Sequence, residues 1–471
     1  MINYISTRGQ APRLGFADTA LAGLARDGGL YVPEACPKLS GEELNNMAHQ
    51  HYLEIAWRVI LPFVSDDIPS DDLIRLLQKS YKGFSNKEIA PLKKLEDGFY
   101  VQELFHGPTL AFKDVALQFL GQVFDYILTR KQQRVTIVGA TSGDTGSAAI
   151  EAFKNSPHAQ IVILHPKGRV SDVQRRQMTT VDAPNVHNIA IEGSFDDCQD
   201  IVKAMFNDHS FRDEMALSAI NSINWARILA QVVYYVYAGV KVYAETGKPA
   251  TFSVPTGNFG NVYAGYIAQS MGAPVEKLVV ATNANDILHR FFATGRMEPA
   301  GVSPTLSPSM DIQISSNFER LLFDLYSRKG DMVDQTMRHF RDTGPFHVDE
   351  TIMQRVGQVF GSGRKDDAET TDIIRRTYQK YDYVIDPHTA VGLGVAEDMR
   401  KQNPDAVYVT LATAHPAKFP DAVKAATNVA PDLPPHLADL HSRVEKYETL
   451  PADIARVQDF VRARAGKPDA V

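Results

Sequence analysis

Short runs of contiguous apolar, often β-branched residues alternate along this chain with longer stretches whose apolar positions recur at helical spacing. FYVQEL (99–104), RVTIVGA (134–140), QIVILHP (160–166), NVHNIAIEG (185–193), KLVVATN (277–283) and AVYVTLAT (406–413) read as strands. Their near-continuous hydrophobicity is the mark of strands buried on both faces of a parallel sheet. Helical stretches lie between them: DVALQFLGQVFDYILTR from 114, GSAAIEAFKN from 146, FDDCQDIVKAMFND from 195 and the long SINWARILAQVVYYVYAGVKVYAE over 222–245. PATFSVPTGNFGNVYAGYIAQSMG supplies a further strand, loop and helix. Strands joined by helices of this length predict βαβ units, hence an α/β fold with parallel sheets covered on both faces.

The first ninety or so residues follow a different rhythm. ELNNMAHQHYLEIAWRVILPFV (43–64) carries apolar residues at helical spacing, with Pro62 near its end. SDDLIRLLQKSYKGF (70–84) opens with Ser70 as an N-cap candidate and two acids in its first turn, which suits the helix dipole. The region is expected to be mostly helical. The charged stretch around 325–372 has no assignment, and 430–471 reads as a closing helix and a polar tail.

Length and charge narrow the class. A chain of 471 residues exceeds one small core and suggests two or three domains. Lys and Arg number 49 against 56 Asp and Glu, a formal charge of -7. That balance disfavours nucleic acid and anionic membranes as partners, but a local site for a small anion remains compatible with it. Cys36 and Cys198 form neither a CxxC pair nor a zinc spacing, and no HxxxH or HExxH occurs, so no metal site is expected. The opening MINYISTRGQAPRLGF lacks the apolar core of a secretory signal, and no run reaches transmembrane length. A cytoplasmic protein is expected, a monomer or a homodimer.

In open α/β sheets ligands sit beyond the carboxyl ends of strands, which directs attention to the loops after Ala140, Pro255 and Thr413. SVPTGNFGN (253–261) follows a strand and opens a helix. Gly257 and Gly260 let an anion approach backbone N–H groups, and the helix start adds unpaired donors. It matches neither GxxxxGK[ST] nor GxGxxG, so neither a nucleoside triphosphate nor a dinucleotide is indicated. ATSGDTGSAA (140–149) repeats the plan, with hydroxyls at Ser142, Thr145 and Ser147 and expected open N–H groups at Gly143 and Gly146. Asp144 reads equally as an N-cap. Lys113 lies among Leu110, Ala111, Phe112 and Val115 at the start of an apolar helix. It reads either as a snorkelling surface lysine or as a desolvated amine, whose lowered pKa makes a better nucleophile and base. A desolvated lysine, a phosphate cradle, a second anion nest and a strand ending in a hydroxyl residue are together the parts of a pyridoxal-phosphate site.

YISTRG (4–9), DGGLYVPE (27–34), ELFHGPTLAFKD (103–114), ATSGDTGSAA, NSINWARILAQ (221–231), PTGNFGN and DPHTAVG (386–392) resemble, in order, segments of the threonine synthase family. That family belongs to the tryptophan-synthase-β-like pyridoxal-phosphate enzymes of fold type II. The resemblance runs from about residue 4 to 420 and implies the following. Lys113 is the catalytic lysine and holds pyridoxal 5'-phosphate as a Schiff base. Gly257, Asn258, Phe259, Gly260 and Asn261 wrap the cofactor phosphate, and Thr413 bonds the pyridine nitrogen. Phe112 packs either beside the ring or in the core. Ser142, Thr145, Asn221, Ser222 and Arg227 hold the substrate, O-phospho-L-homoserine. Asn221 and Ser222 have a competing role as helix caps, and Arg227 as a structural ion-pair residue. His106 and His388 are read as satisfied structural histidines. The implied domains are an N-terminal region at 1–95, a large cofactor domain at 96–129 and 226–425, a small domain at 130–225 that closes over substrate, and a C-terminal helix and tail at 426–471. The competing function within this fold is a serine/threonine dehydratase-like lyase.

Overall fold

A computed structural model describes residues 2–466. The larger of its two main sheets has six strands, in spatial order Phe360–Arg364, Val275–Thr282, Ala250–Pro255, Val407–Ala412, Phe99–Glu103 and Leu92–Glu96. The smaller has five, in the order Glu448–Pro451, Val186–Glu192, Ala159–Pro166, Val135–Ala140 and Leu217–Ser218. Every pairing in both sheets is parallel except the outermost, where Leu92–Glu96 runs antiparallel to Phe99–Glu103. That antiparallel edge was not expected. Its cause is the Asp97–Gly98 turn: Gly98 takes a positive φ of 67° and folds the chain back as a hairpin.

The central strands are as buried as their composition requires, with Phe252, Val254, Val279, Val280, Val409 and Leu411 all sealed from solvent. The helix Trp225–Thr246 is apolar on every side and buried from Trp225 through Val240. It packs against Tyr52–Val64, Lys113–Lys131 and Gly260–Met271, tying the N-terminal helices to the large sheet.

Several local expectations change. The stretch 43–64 is two helices, Gly41–Met47 and Tyr52–Val64. The second restarts where the Glu54 carboxylate accepts the His51 N–H at 2.8 Å. Pro69, not Ser70, occupies the N-cap position of the helix Ser70–Tyr81 and makes no side-chain cap, while the Ser70 hydroxyl accepts the Trp57 indole N–H at 3.0 Å. The charged stretch around 325–372 forms the helices Gly330–Asp342 and Glu350–Val359, the edge strand Phe360–Arg364 and the start of Asp367–Tyr381, so its charges lie on amphipathic outer faces.

The C-terminal segment is more than a closing helix. Glu448–Pro451 extends the small sheet beside Val186–Glu192, and the helix Ile454–Ala465 buries Val457 and Val461 against Ile189, Ile191 and Ile201. The expected polar tail beyond residue 466 lies outside the described residues. Both cysteines are unpaired thiols. Among the described residues no helix is long and apolar enough to cross a membrane.

Candidate active site

The turn that carries Lys113 is zipped onto the end of the strand Val407–Ala412. The Phe112 N–H donates to the Thr413 carbonyl at 2.8 Å, and the His415 N–H donates to the Leu110 carbonyl at 3.0 Å. Leu110 sits in the left-handed region, with φ 65°. Asp114 holds the turn from within, its carboxylate accepting from the Thr109 N–H at 2.8 Å and the Thr109 hydroxyl at 2.6 Å. Burial pushes the Asp114 carboxyl up to about 6, against the pull of those two bonds. Lys113 thus begins its helix at the carboxyl ends of two adjacent parallel strands, with Thr413 beside it.

The Lys113 side chain is 12% exposed, which removes the snorkelling alternative. Its Nζ lies 3.2 Å from Oδ2 of Asp144. A second lysine, Lys418, approaches Oδ1 of the same carboxylate at 2.7 Å and also donates to the Thr109 carbonyl at 2.8 Å. The Gln174 amide donates to Asp144 at 2.8 Å and the Ser309 hydroxyl at 3.3 Å. Asp144 is therefore no N-cap: Gly143 holds that position, and the acid is buried in an ion cluster. Burial opposes its ionisation, but Lys113 and Lys418 outweigh burial and hold the carboxyl well below its ordinary range. For Lys113 the balance runs the other way: burial, with repulsion from Lys418 and Arg227, lowers the amine's pKa despite Asp144.

Arg227 is also buried. It donates to the Ile220 carbonyl at 3.0 Å, its Nε has no hydrogen-bond partner, and no carboxylate pairs with it among the described residues. Burial pulls its pKa down to about 10. The structural ion-pair role is thereby removed. Lys113 and Lys418 both meet the Asp144 carboxylate, Arg227 repels Lys113, and the second buried acid, Asp114, feels Lys418. The buried Arg227 guanidinium, with its unpartnered Nε, is the group that an anion would satisfy.

The second loop is held from outside by its oxygens. The Ser315 hydroxyl donates to the Gly257 carbonyl at 2.8 Å, and Asn317 donates to the Asn258 carbonyl through its backbone N–H at 3.1 Å and its amide at 3.0 Å. Asn317 is steadied by the wholly buried Arg320, which also reaches the carbonyls of Ile223 at 2.6 Å and Tyr31 at 3.0 Å. The N-terminal DGGLYVPE segment thus braces this loop. Asn283, just past the strand Val275–Thr282, anchors the bracing segment through Ser307 at 3.0 Å and Asp311 at 2.8 Å. Phe259 has φ 61° and turns its ring into an aromatic core with Phe292, Phe318 and Phe360.

Asn258 is exposed, and Asn261 is pinned by Tyr234 at 2.6 Å and Tyr235 at 2.8 Å through Oδ1, leaving its buried Nδ2 without a partner among the described residues. A Cβ at Gly257 would fall 2.7 Å from the Ser309 carbonyl oxygen, so only glycine fits there. These features fit a phosphate group: an orphaned donor, a cradle that a side chain would fill, and a helix opening at Gly260.

The loop after Ala140 departs from expectation. The Gly143 and Gly146 N–H groups are not open, because both donate to the Thr141 hydroxyl at 2.9 Å. The Ser147 hydroxyl turns inward to the carbonyls of Gly143 at 3.2 Å and Asp144 at 3.1 Å. Ser142 is exposed and Thr145 half-buried. Asn221 is exposed and Ser222 half-buried, and neither caps the long helix; Asn224 does, accepting the Ala226 N–H at 3.0 Å.

Both histidines near motifs have partners. His106 meets Glu103 at 2.8 Å; His388 meets Asp386 at 2.9 Å and accepts the Ser309 N–H at 3.3 Å. Lys418, Gln174 and Ser309 escaped sequence reasoning. The one signal for Lys418 was a lysine between Ala417 and Phe419, bracketed by two prolines.

Comparison with known proteins agrees with this geometry along the whole chain. The model of the threonine synthase N terminus matches residues 3–81, that of pyridoxal-phosphate dependent enzymes 85–343, and that of the threonine synthase C-terminal region 389–461. A threonine synthase of Pseudomonas aeruginosa is 50% identical over 470 residues, covering 99% of this chain and 100% of that protein. The crystal structure of a PLP-bound threonine synthase from Brucella melitensis superposes with a TM-score of 0.95 at 49% identity, covering 99% of this chain and 100% of that one. The yeast threonine synthase structure gives a TM-score of 0.93 at 39% identity, with 98% of each chain covered. The chain belongs to the threonine synthase family, within the pyridoxal-phosphate-dependent enzymes of fold type II.

Proposed function

We propose that this protein is a threonine synthase, converting O-phospho-L-homoserine and water to L-threonine and inorganic phosphate, the last step of threonine biosynthesis, in the cytoplasm. The observation that carries the reading is a desolvated Lys113 amine near the buried, carboxylate-free Arg227, together with a loop in which position 257 admits only glycine. Pyridoxal phosphate, when bound, supplies the electron sink that stabilises negative charge at the substrate Cα.

Lys113 would hold the cofactor at its aldehyde carbon. Gly257, Asn258, Phe259, Gly260 and Asn261 would hold its phosphate, and Thr413 would bond the pyridine nitrogen; a hydroxyl there would not enforce ring protonation as a carboxylate would. The free Lys113 Nζ would accept the Cα proton and then a Cβ proton, so one mobile arm serves both positions. The Cγ–O bond then breaks, its electron pair leaves with the phosphate, and a proton taken up makes it hydrogen phosphate, while Ser142, Thr145, Asn221, Ser222 and Arg227 hold the substrate's phosphate and carboxylate between them. Donors set in place before the charge develops are worth about 2–4 kcal/mol each in the barrier. Water adds at Cβ and the protons return. Residues 130–225 with the C-terminal strand and helix form the smaller domain, whose closure over the large one shuts out bulk water until that addition.

The test is to supply the purified protein and pyridoxal phosphate with O-phospho-L-homoserine and follow phosphate and threonine. Equal release of both is expected. Production of 2-oxobutanoate from threonine, without phosphate release from phosphohomoserine, would support a dehydratase instead.

A further inference from the structure

We infer that Lys418 is a positioning residue, the standing counter-ion of Asp144, which lets Lys113 lose its charge without leaving a buried carboxylate unpaired. The inference rests on Lys113 being the lysine that holds the cofactor. Lys418 is wholly buried, in the turn Pro416–Lys418, with its ammonium fixed between Asp144 Oδ1 at 2.7 Å and the Thr109 carbonyl at 2.8 Å. Lys113 uses the other oxygen, Oδ2, at the longer distance of 3.2 Å. The two lysines therefore share one carboxylate without competing for an atom.

The need for such an arrangement follows from what Lys113 must do. To attack an aldehyde, or to accept a carbon-bound proton, its amine has to be neutral. If Lys113 were the sole partner of Asp144, each loss of its proton would strand a buried charge, which is strongly unfavourable. Attraction to that carboxylate would then keep the proton on Lys113. Lys418 satisfies Asp144 in either state of Lys113 and adds a repulsive charge of its own. The charged groups that act on Lys113 are Asp144 from the small-sheet side, Lys418 from the turn after the strand Val407–Ala412, and Arg227 from the long helix. Asp114, the next residue, is engaged by Thr109 and also feels the Lys418 charge.

The test uses full-length protein freed of cofactor, to which pyridoxal phosphate is returned at a series of pH values. The neutral Lys113 amine adds to the aldehyde carbon and water leaves, so the rate of appearance of the visible-absorbing adduct reports the unprotonated fraction. Lys418→Met should move the half-maximal pH up by one unit or more, lowering the rate at neutral pH about tenfold or more. Lys418→Arg should stay near wild type. Asp144→Asn should move the midpoint down, because Lys113 then meets only cations. A second readout needs no cofactor: labelling of Lys113 by trinitrobenzenesulfonate in the stripped protein, quantified by peptide mass spectrometry, should shift in the same directions.

An unmoved or lowered midpoint in Lys418→Met, in both readouts, overturns the inference. Should that variant fail to fold, an unmoved or raised midpoint in Asp144→Asn overturns it equally. A wild-type protein that forms no adduct, or an adduct that persists in Lys113→Ala, brings down the assignment of Lys113 as well.

Discussion

Two loops of this molecule share one plan, a strand that runs into a turn of glycine and polar residues and then opens a helix, and they use it in opposite ways. In ATSGDTG the loop consumes its own donors: Thr141 takes the N–H groups of Gly143 and Gly146, and Ser147 folds back on the preceding carbonyls. What that loop offers the site is an acid, Asp144, set between two lysines. In PTGNFG the carbonyls of Gly257 and Asn258 are taken up by Ser315 and Asn317, which leaves the donor side of the loop and the helix start to face a ligand. Similar sequences thus yield one loop that positions a charge and one that receives an anion. The lesson is that a glycine-rich turn becomes a nest only when something else satisfies its oxygens and nothing internal satisfies its N–H groups.

The largest effect expected from breaking this contrast is Asp144→Asn. Removing the carboxylate leaves the buried Lys418 ammonium with only the Thr109 carbonyl, at a cost of about 3–5 kcal/mol read from urea denaturation. The pH dependence has a definite sign. Asp144 titrates well below its ordinary 3.8 in the folded protein, so its stabilisation is complete above that value and is lost as pH falls toward the folded pKa. The gap between wild type and variant should be flat above about pH 4 and narrow below it.

Next comes Thr141→Val, nearly isosteric, which strips the shared acceptor from two N–H groups. Roughly 2–4 kcal/mol of stability should be lost by the same measurement. If the variant is as stable as wild type, the loop does not satisfy itself as described.

Gly257→Ala probes the other loop. Its Cβ would press on the Ser309 backbone oxygen at 2.7 Å, costing about 1–3 kcal/mol in strain. The sharper readout is cofactor retention: absorbance at the cofactor band should be lost on desalting, whereas Thr141→Val should keep it. The smallest effect belongs to Ser147→Ala. About 0.5–1.5 kcal/mol of stability is expected, with turnover unchanged, because the hydroxyl turns away from the ligand side. A large loss of turnover would return Ser147 to the set of binding groups.

How much of this was legible in the sequence depends on where the physical signal was local. The central strands are contiguous apolar runs, and they lie within two residues of where the pattern put them. Glu448–Pro451 was invisible because ETLP is a half-exposed edge strand with little apolar character. Leu92–Glu96 was missed for the same reason, although the Asp97–Gly98 turn that causes it was there to read. The break in 43–64 was hidden because apolar spacing continues across it. At the site, Lys113 announced itself as a charge among apolar residues. Lys418 has the same signature, but its partner Asp144 lies 274 positions away (418 − 144), and a local window cannot show a pair that only the fold brings together. The occupied N–H groups of Gly143 and Gly146 depend on the rotamer of one threonine, which no spacing rule encodes.

The central claim is that the Lys113 amine is where cofactor and catalysis meet. The most direct measurement records the visible spectrum of wild type and Lys113→Ala with pyridoxal phosphate while phosphate release from O-phospho-L-homoserine is followed in the same samples. Wild type should show the lysine–cofactor band and release phosphate with an equal yield of threonine, and the variant should show neither. A variant that keeps both the band and full turnover would contradict the account.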